Sequence, residues 1–478
     1  MIMKRMILLL TVTLLSVTIS AQEGYHITIK IPEFKDTTAI LAYHLGNSKY
    51  IKDTLEFDSE GVIEMKGDQP IDRGMYLLVV PGEKYFEFII ADDQDFTLET
   101  HAPDFVENMK VSGSLDNDLF YRDMKNIMTK REAYEKASAR YQQIKEENPD
   151  SAAILKETME KLDSEVRSFR AEIKKDYPQT FYAKFLMALD EPEIPEIPVD
   201  PETGEADSSY PYRYYKSHYF DGFDFSDPGL LRTPVYHQKL VTFMKDLTPQ
   251  LPDSVIASAE YILKKVEGDS VLYQYTLAWM LNRYAKREIM GMDKVYVYLA
   301  EEYYMKGKAP WISKDQLKKI VHDALALKPL LIGNKAPDFV GQDPEGKIIS
   351  MYSIDAPYLI VAFWDADCGH CRKEIPKLYK GWKEKLRDKG VKVLAVSLEL
   401  TDNHWRKFIA EKSLSDEGWI NTIDLDGLDD YRSKYDIKAT PTIYILDKDK
   451  KIIGKWLGAD QIPDFILNYD KRQKEEKE

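Results

Sequence analysis

The chain has 478 residues, with 66 Lys and Arg against 81 Asp and Glu, a formal net charge of −15. A negative surplus argues against a nucleic-acid partner or an anionic membrane surface, since both call for a cationic face. The length suggests about three domains, and with only two cysteines those domains must be held by apolar cores rather than by disulfides.

The first 21 residues carry Lys4 and Arg5, an apolar run from Ile7 to Ile19, and the small pair Ser20-Ala21. That is the layout of a secretory signal peptide with cleavage after Ala21. The run spans 13 residues, where a membrane helix needs about 20. The expectation is an exported protein, placed in the periplasm.

Residues 23–112 read as short strands: Tyr25, Ile27, Ile29 and Ile31 alternate with polar neighbours, and turn signals recur at 58–61, 66–70 and 81–84. This predicts a β-sandwich. Over 115–189 the period changes to a helical hairpin, in which Leu155, Met159, Leu162, Val166, Phe169 and Ile173 form a narrow seam and Asn148-Pro149-Asp150 the turn. The seam either closes the hairpin or forms a homodimer contact.

Residues 190–209 are acidic and Pro-rich and read as an exposed linker. The aromatic run at 210–225 suits either interdomain packing or a stacking platform. Helical patterns starting at Pro252, after Asp269, at Gly291 and at Ile312 make 210–331 an all-helical domain with no catalytic constellation. Residues 333–470 alternate strand and helix, and 471–478 form a charged, disordered tail. The fold class expected is multidomain α+β: an N-terminal β-sandwich, a helical middle and a C-terminal α/β module.

Both cysteines, Cys368 and Cys371, lie in FWDADCGHCRKEIP, where the apolar strand YLIVAFW (358–364) gives way to a helix. Three residues apart, they close too short a loop to stabilise the fold appreciably. At a helix N-terminus, free N–H groups and the helix dipole favour a thiolate. Cys368 is therefore the exposed attacking sulfur and Cys371, one turn inside, the buried resolving one. His370 between them is expected to lower the Cys368 pKa further.

This region resembles the thioredoxin superfamily, and within it the exported TlpA/ResA-like thiol-disulfide oxidoreductases. The resemblance rests on Ala336-Pro337-Asp338-Phe339, on the two cysteines, on Pro376 and on Thr440-Pro441. It implies a thioredoxin fold, a cis Thr440–Pro441 bond, and a substrate groove formed by Thr440, Pro441, Trp364 and Gly369. It implies a redox-active Cys368–Cys371 disulfide with no other cofactor and no metal. Thioredoxin's buried acid is replaced by Ala362, while Glu374 matches the glutamate of the TlpA/ResA branch. That match implies that Glu374, as a carboxylate of raised pKa, handles the Cys371 proton. The implied partners are protein thiols and disulfides of the cell envelope and a membrane electron donor.

Two residues depart from the family pattern. Asp367 stands where tryptophan is usual, and its carboxylate is expected to raise the Cys368 pKa. His370 replaces a proline and makes the CGHC pattern of the disulfide isomerases. Reductase is the first reading of direction; oxidase or isomerase is the second. A haem site is excluded by Arg372, and zinc lacks further ligands. Ala362 and Asp365 occupy the positions where a peroxidase carries Pro and Thr. A non-catalytic docking protein remains the alternative outside enzymes.

Overall fold

The computed structural model describes residues 24–199, 203–286, 288–399, 401 and 403–475. The predicted signal peptide lies outside them. The chain forms two compact units, Met1–Phe243 and Met244–Glu478.

The first unit begins with eight strands: β1 (Tyr25–Lys30), β2 (Thr38–Leu45), β3 (Ser48–Glu56), β4 (Val62–Gly67), β5 (Gly74–Val80), β6 (Lys84–Ile90), β7 (Asp95–Glu99) and, after the short helix α1 (Phe105–Asn108), β8 (Lys110–Ser112). They make two four-stranded sheets, ordered β4-β1-β7-β8 and β3-β2-β5-β6. Alternate residues enter the β-sandwich core, among them Ile27, Ile29, Leu78, Phe88 and Leu98, all fully or almost fully buried. Helix α2 (Leu115–Ile144) is docked through Asn117, whose amide accepts from the Ile89 N–H at 2.8 Å and donates to its carbonyl at 2.7 Å.

Helix α3 (Pro149–Asp176) returns along α2, with Asn148 as its N-cap and Pro149 in its first turn. Its seam is half-buried from Leu155 to Phe169 and buried at Ile173. After α4 (Phe181–Leu189) the acidic stretch includes a bridge between Val199 and Ala206. Helix α5 (Tyr210–His218) and α6 (Pro234–Lys245) follow. The second half of the aromatic run is packing material: Tyr219, Phe220 and Phe223 are buried, and Phe220 meets the Phe243 ring at 5.2 Å, whereas no residue of α5 is buried. The two units divide inside α6 rather than in the acidic stretch. Lys239 accounts for this, because its ammonium donates to the Asp190 and Tyr219 carbonyls at 3.0 and 3.1 Å and ties α6 to the first unit.

The second unit starts with helices α7 (Pro252–Val266), α8 (Ser270–Ala285), α9 (Asp293–Leu299), which runs on into a π turn, and α10 (Lys314–Leu327). The thioredoxin fold follows: β9 (Val340–Gln342), β10 (Ile348–Ser350), β11 (Tyr358–Trp364), α11 (Cys371–Lys385), β12 (Lys392–Ser397), α12 (Asn403–Lys412), β13 (Trp419–Ile423), α13 (Tyr431–Lys434), β14 (Thr442–Asp447), β15 (Ile452–Lys455) and α14 (Ile462–Glu475). The sheet order is β10-β9-β13-β12-β11-β14-β15, with β11, β12 and β13 parallel. Helix α14 extends to Glu475, so most of the expected disordered tail is helical. Its Lys474–Asp470 pair, at 2.7 Å and four residues apart, supports that last turn.

Strand β11 is central and serves two cores. Ile360, Ala362 and Trp364 point to the layer containing Ile375, Trp382, Trp405 and Phe408. Leu359, Val361 and Phe363 point to the opposite layer with Tyr435 and Tyr444. The continuous apolar run in the sequence is the mark of this two-sided burial. Among the described residues no helix is long and apolar enough to cross a membrane.

Candidate active site

Strand β11 stops at Trp364, and the chain turns through Asp365–Cys368 before α11. The Asp365 carboxylate accepts from the Asp367 N–H at 2.8 Å, and its carbonyl accepts from the Cys368 N–H at 3.2 Å. Arg372 clamps the turn from α11: its guanidinium donates to the Ala366 carbonyl at 3.1 Å and lies over the Phe408 ring. The cysteines thus sit on either side of the helix start, and both are free thiols. Cys368 is half-buried and Cys371 is fully buried.

Their environments drive the two thiols apart. The Thr440 side chain and then the Cys371 backbone N–H hydrogen-bond Cys368 and bring its pKa down from 9.0 to about 7. The smaller contribution of the His370 N–H comes from the same helix start. Burial pushes Cys371 up to about 11. In its thiol form Cys368 Sγ lies 3.7 Å from the Thr440 carbonyl. The Thr440–Pro441 peptide is cis, and both residues are half-buried beside the thiol. Gly369 is exposed, and a Cβ built on it would meet nothing within 4 Å, so that side of Cys368 is open.

Three expectations need correction. Trp364 is fully buried and meets the Phe408 ring at a tilt, 5.2 Å between centroids, so it cannot form the groove wall. Its place in the alternation of β11 turns it into the core. Glu374 does not have a raised pKa. A hydrogen bond from Lys377, at 2.7 Å, holds its carboxyl below the usual 4.5 despite partial burial. Asp367 does not act on Cys368 as an unpartnered charge: its carboxylate meets His404 Nδ1 at 3.0 Å. His370 is exposed at the N-cap position of α11 and makes no side-chain capping bond.

Sequence reasoning missed two neighbours. Glu399, just past β12, accepts from the Ala366 and Trp405 N–H groups, both at 3.2 Å. Burial raises its pKa, and the carboxylates of Asp365 and Asp367 add to the rise. His404 opens α12. Neither residue carries a signal in the sequence, because each meets the turn at 365–368 only through the order of the sheet.

Residues 332–455, which hold both cysteines and Thr440-Pro441, match the AhpC/TSA family model. Two domains of unknown function match upstream, DUF4369 over 25–120 and DUF5106 over 154–327. Among curated proteins, the thiol-disulfide oxidoreductase ResA of Bacillus cereus is 30% identical over 130 residues, 27% of this chain and 70% of the relative. ResA of Bacillus thuringiensis is 30% identical over 141 residues, 28% of this chain and 76% of the relative. The chain belongs to the ResA family of thiol-disulfide oxidoreductases. Among solved structures it is similar to a domain of a possible thiol-disulfide isomerase from Cytophaga hutchinsonii: 43% identity, 30% of this chain, 97% of that one, TM-score 0.29. A thiol:disulfide interchange protein from a Bacteroides species is 30% identical over 29% of this chain and 89% of its own, with a TM-score of 0.27. The ResA likeness therefore concerns less than a third of the molecule, and the matched upstream domains carry no described function.

Proposed function

We propose that this ResA-family protein is an exported disulfide reductase that works through its CGHC pair. The observation that carries the reading is the split between two thiols three residues apart, one near 7 and half-exposed, the other near 11 and enclosed. The Cys368 thiolate attacks a substrate disulfide and releases one substrate thiolate, leaving a mixed disulfide. Cys371 gives up its proton and attacks Cys368 Sγ, which releases the second substrate thiolate. Two electrons pass to the substrate and a Cys368–Cys371 disulfide forms. A dithiol donor must then return two electrons, and for an exported protein that donor belongs in the membrane.

The size of the pKa shift supports this direction. A strong oxidant such as DsbA needs an attacking thiol near pKa 3.5, whereas thioredoxin, a reductant, has one near 7. Cys368, at about 7, is on the reductant side. Thr440, Pro441 and Gly369 form the groove for the substrate chain, and Glu374 and His370 set the charge around the pair. The sandwich and hairpin serve partner docking, with the half-buried seam of α3 as a contact for a second copy. The oxidase or isomerase reading keeps one support, the histidine of CGHC.

Equilibration of the full-length protein with glutathione buffers tests the direction. A reduction potential near the thioredoxin value of about −270 mV supports the reductase, and one near the isomerase value of about −180 mV overturns it. Failure to form the Cys368–Cys371 disulfide removes the redox reading altogether. Sequencing the mature N-terminus from the native host tests export, which predicts a start at Gln22.

A further inference from the structure

We infer that His404 is a positioning residue for thiol-disulfide exchange: it holds the Asp367 carboxylate, so that the acid next to the attacking cysteine does not oppose its ionisation. The inference rests on the reading of Cys368 as the nucleophile.

An acid directly before the attacking cysteine is chemically awkward. A carboxylate within several ångströms of a thiol, in the intermediate dielectric of a protein surface, lowers the thiol's acidity constant roughly threefold to tenfold. The chain nevertheless keeps Asp367 there, and the fold supplies a counter-charge. Helix α12 follows β12, which lies beside β11, so its first turn comes over the turn that carries the cysteine. His404 Nδ1 is 3.0 Å from Asp367 Oδ2. The Asp367 N–H is engaged on the other side by the Asp365 carboxylate at 2.8 Å, which fixes the backbone from which Asp367 reaches His404.

The surrounding charges favour the protonated imidazole. The hydrogen bond and charge of Asp367 raise the His404 pKa, Glu399 adds to the rise, and Lys407 of the same helix works against it. The groups acting on His404 beside Asp367 are Glu399, just past β12, and Lys407 from α12, and Asp365 from the turn acts in its turn on Glu399. Protonated, His404 neutralises Asp367. Once it loses its proton at higher pH, Asp367 regains a net charge beside Cys368, and further ionisation of the thiol is opposed. Because both side chains are largely exposed, the coupling is open to screening by salt.

The test is the pH-rate profile of Cys368 alkylation by iodoacetamide in the full-length reduced protein. Cys371 stays protonated over that range. Because a thiol with a pKa of about 7 is half ionised at pH 7, His404→Ala is expected to lower the alkylation rate there about twofold to fivefold. Asp367→Asn should restore it in the His404→Ala background while changing the otherwise native protein much less. His404→Lys, which keeps a cation, should retain the native rate. About 1 M salt should shrink the effect of His404→Ala. A native rate in His404→Ala, or equal effects of Asp367→Asn with and without His404, overturns the inference. A loss caused only by misfolding would not be rescued by Asp367→Asn and overturns it too. If the unaltered protein shows no thiol titrating near pH 7, the nucleophile assignment itself fails, a result distinct from the loss of coupling.

Discussion

Replacing Thr440 with valine keeps the side-chain shape and removes the hydroxyl that does most to lower the Cys368 pKa. That pKa lies at about 7 against an ordinary 9.0. At pH 7 this is the difference between about half and about one per cent thiolate. The Thr440 hydrogen bond comes first among the stabilising contacts, ahead of the Cys371 N–H, the Cys371 side chain and the His370 N–H. Removing it takes away the largest single part of that lowering, so the pKa of the variant moves up from about 7 towards the ordinary 9.0. The thiolate fraction at pH 7, and with it the alkylation rate, then falls about three- to sixfold. The assay is iodoacetamide alkylation between pH 5 and 9.5, where Cys371, at about 11, stays silent. Thr440→Ser keeps the hydroxyl and should leave the profile near native. An unchanged pKa in Thr440→Val would refute the argument and leave the backbone N–H groups at the start of α11 as the source of the shift.

Other sites test the fold and the site independently. Asp116 is buried and accepts from the Tyr182 N–H at 2.7 Å, and burial raises its pKa from 3.8 to about 6. The folded state binds its proton more tightly than the unfolded one, so the cost of ionising it appears as pH rises through that window and is complete above it. That cost is about 3 kcal/mol; Asp116→Asn should raise stability at pH 7 by about 1–3 kcal/mol and have little effect near pH 4 in urea unfolding. Lys455 and Asp293 form a fully enclosed ion pair, with the ammonium also donating to the Leu330 carbonyl at 2.6 Å. Lys455→Met should cost about 3–5 kcal/mol by stranding Asp293, and the double variant Lys455→Met/Asp293→Leu much less, as thermal unfolding will report. Trp364→Phe should leave the Michaelis constant for a disulfide substrate unchanged, because the indole faces the core; a several-fold rise would return Trp364 to the groove. Glu374→Gln should leave the Cys368 pKa nearly native and slow release of the mixed disulfide by less than about tenfold, measured by stopped-flow with a thiol-reactive chromophore.

What was legible in the sequence was whatever depends on neighbours along the chain. The start of α11, the contrast between Cys368 and Cys371, and the two-sided burial of β11 all follow from local pattern and the position of a helix end. The error over Trp364 came from reading the β11 run as two-sided without applying that burial to its last residue. Strand β13 carries the polar residues Asn421 and Thr422, which look like loop residues in the sequence. Both are buried, and Asn421 is satisfied by accepting from Trp419 Nε1 at 3.1 Å and donating to the Leu414 carbonyl at 2.6 Å. The pairings of Glu374 and Asp367 failed for different reasons. Lys377 is one helical turn from Glu374 and could have been read as its partner. His404 is 37 residues from Asp367, and only the adjacency of β11 and β12 brings them together.

The depressed Glu374 pKa changes how the second half of the exchange must work. Its carboxyl lies below 4.5 and Cys371 lies at about 11, so a full proton transfer between them is uphill by more than six units. Glu374 is a charged neighbour rather than a strong base. In the reduced protein at neutral pH only about one Cys371 in ten thousand is ionised, and the mixed disulfide removes the Cys368 contacts that add to the rise, so this fraction is a lower bound. The mixed disulfide holds Cys371 three residues from its target, across the start of α11, and such intramolecular arrangements reach effective concentrations of about 10⁵ M. The two factors together leave the equivalent of roughly 10 M fully ionised thiol, well above any external competitor. Proximity alone therefore suffices to resolve the intermediate, and the buried sulfur need not be reactive towards anything else. The high pKa protects Cys371 from attack and modification at little cost to turnover, which is why the two thiols can differ so widely in acidity and still act as a pair.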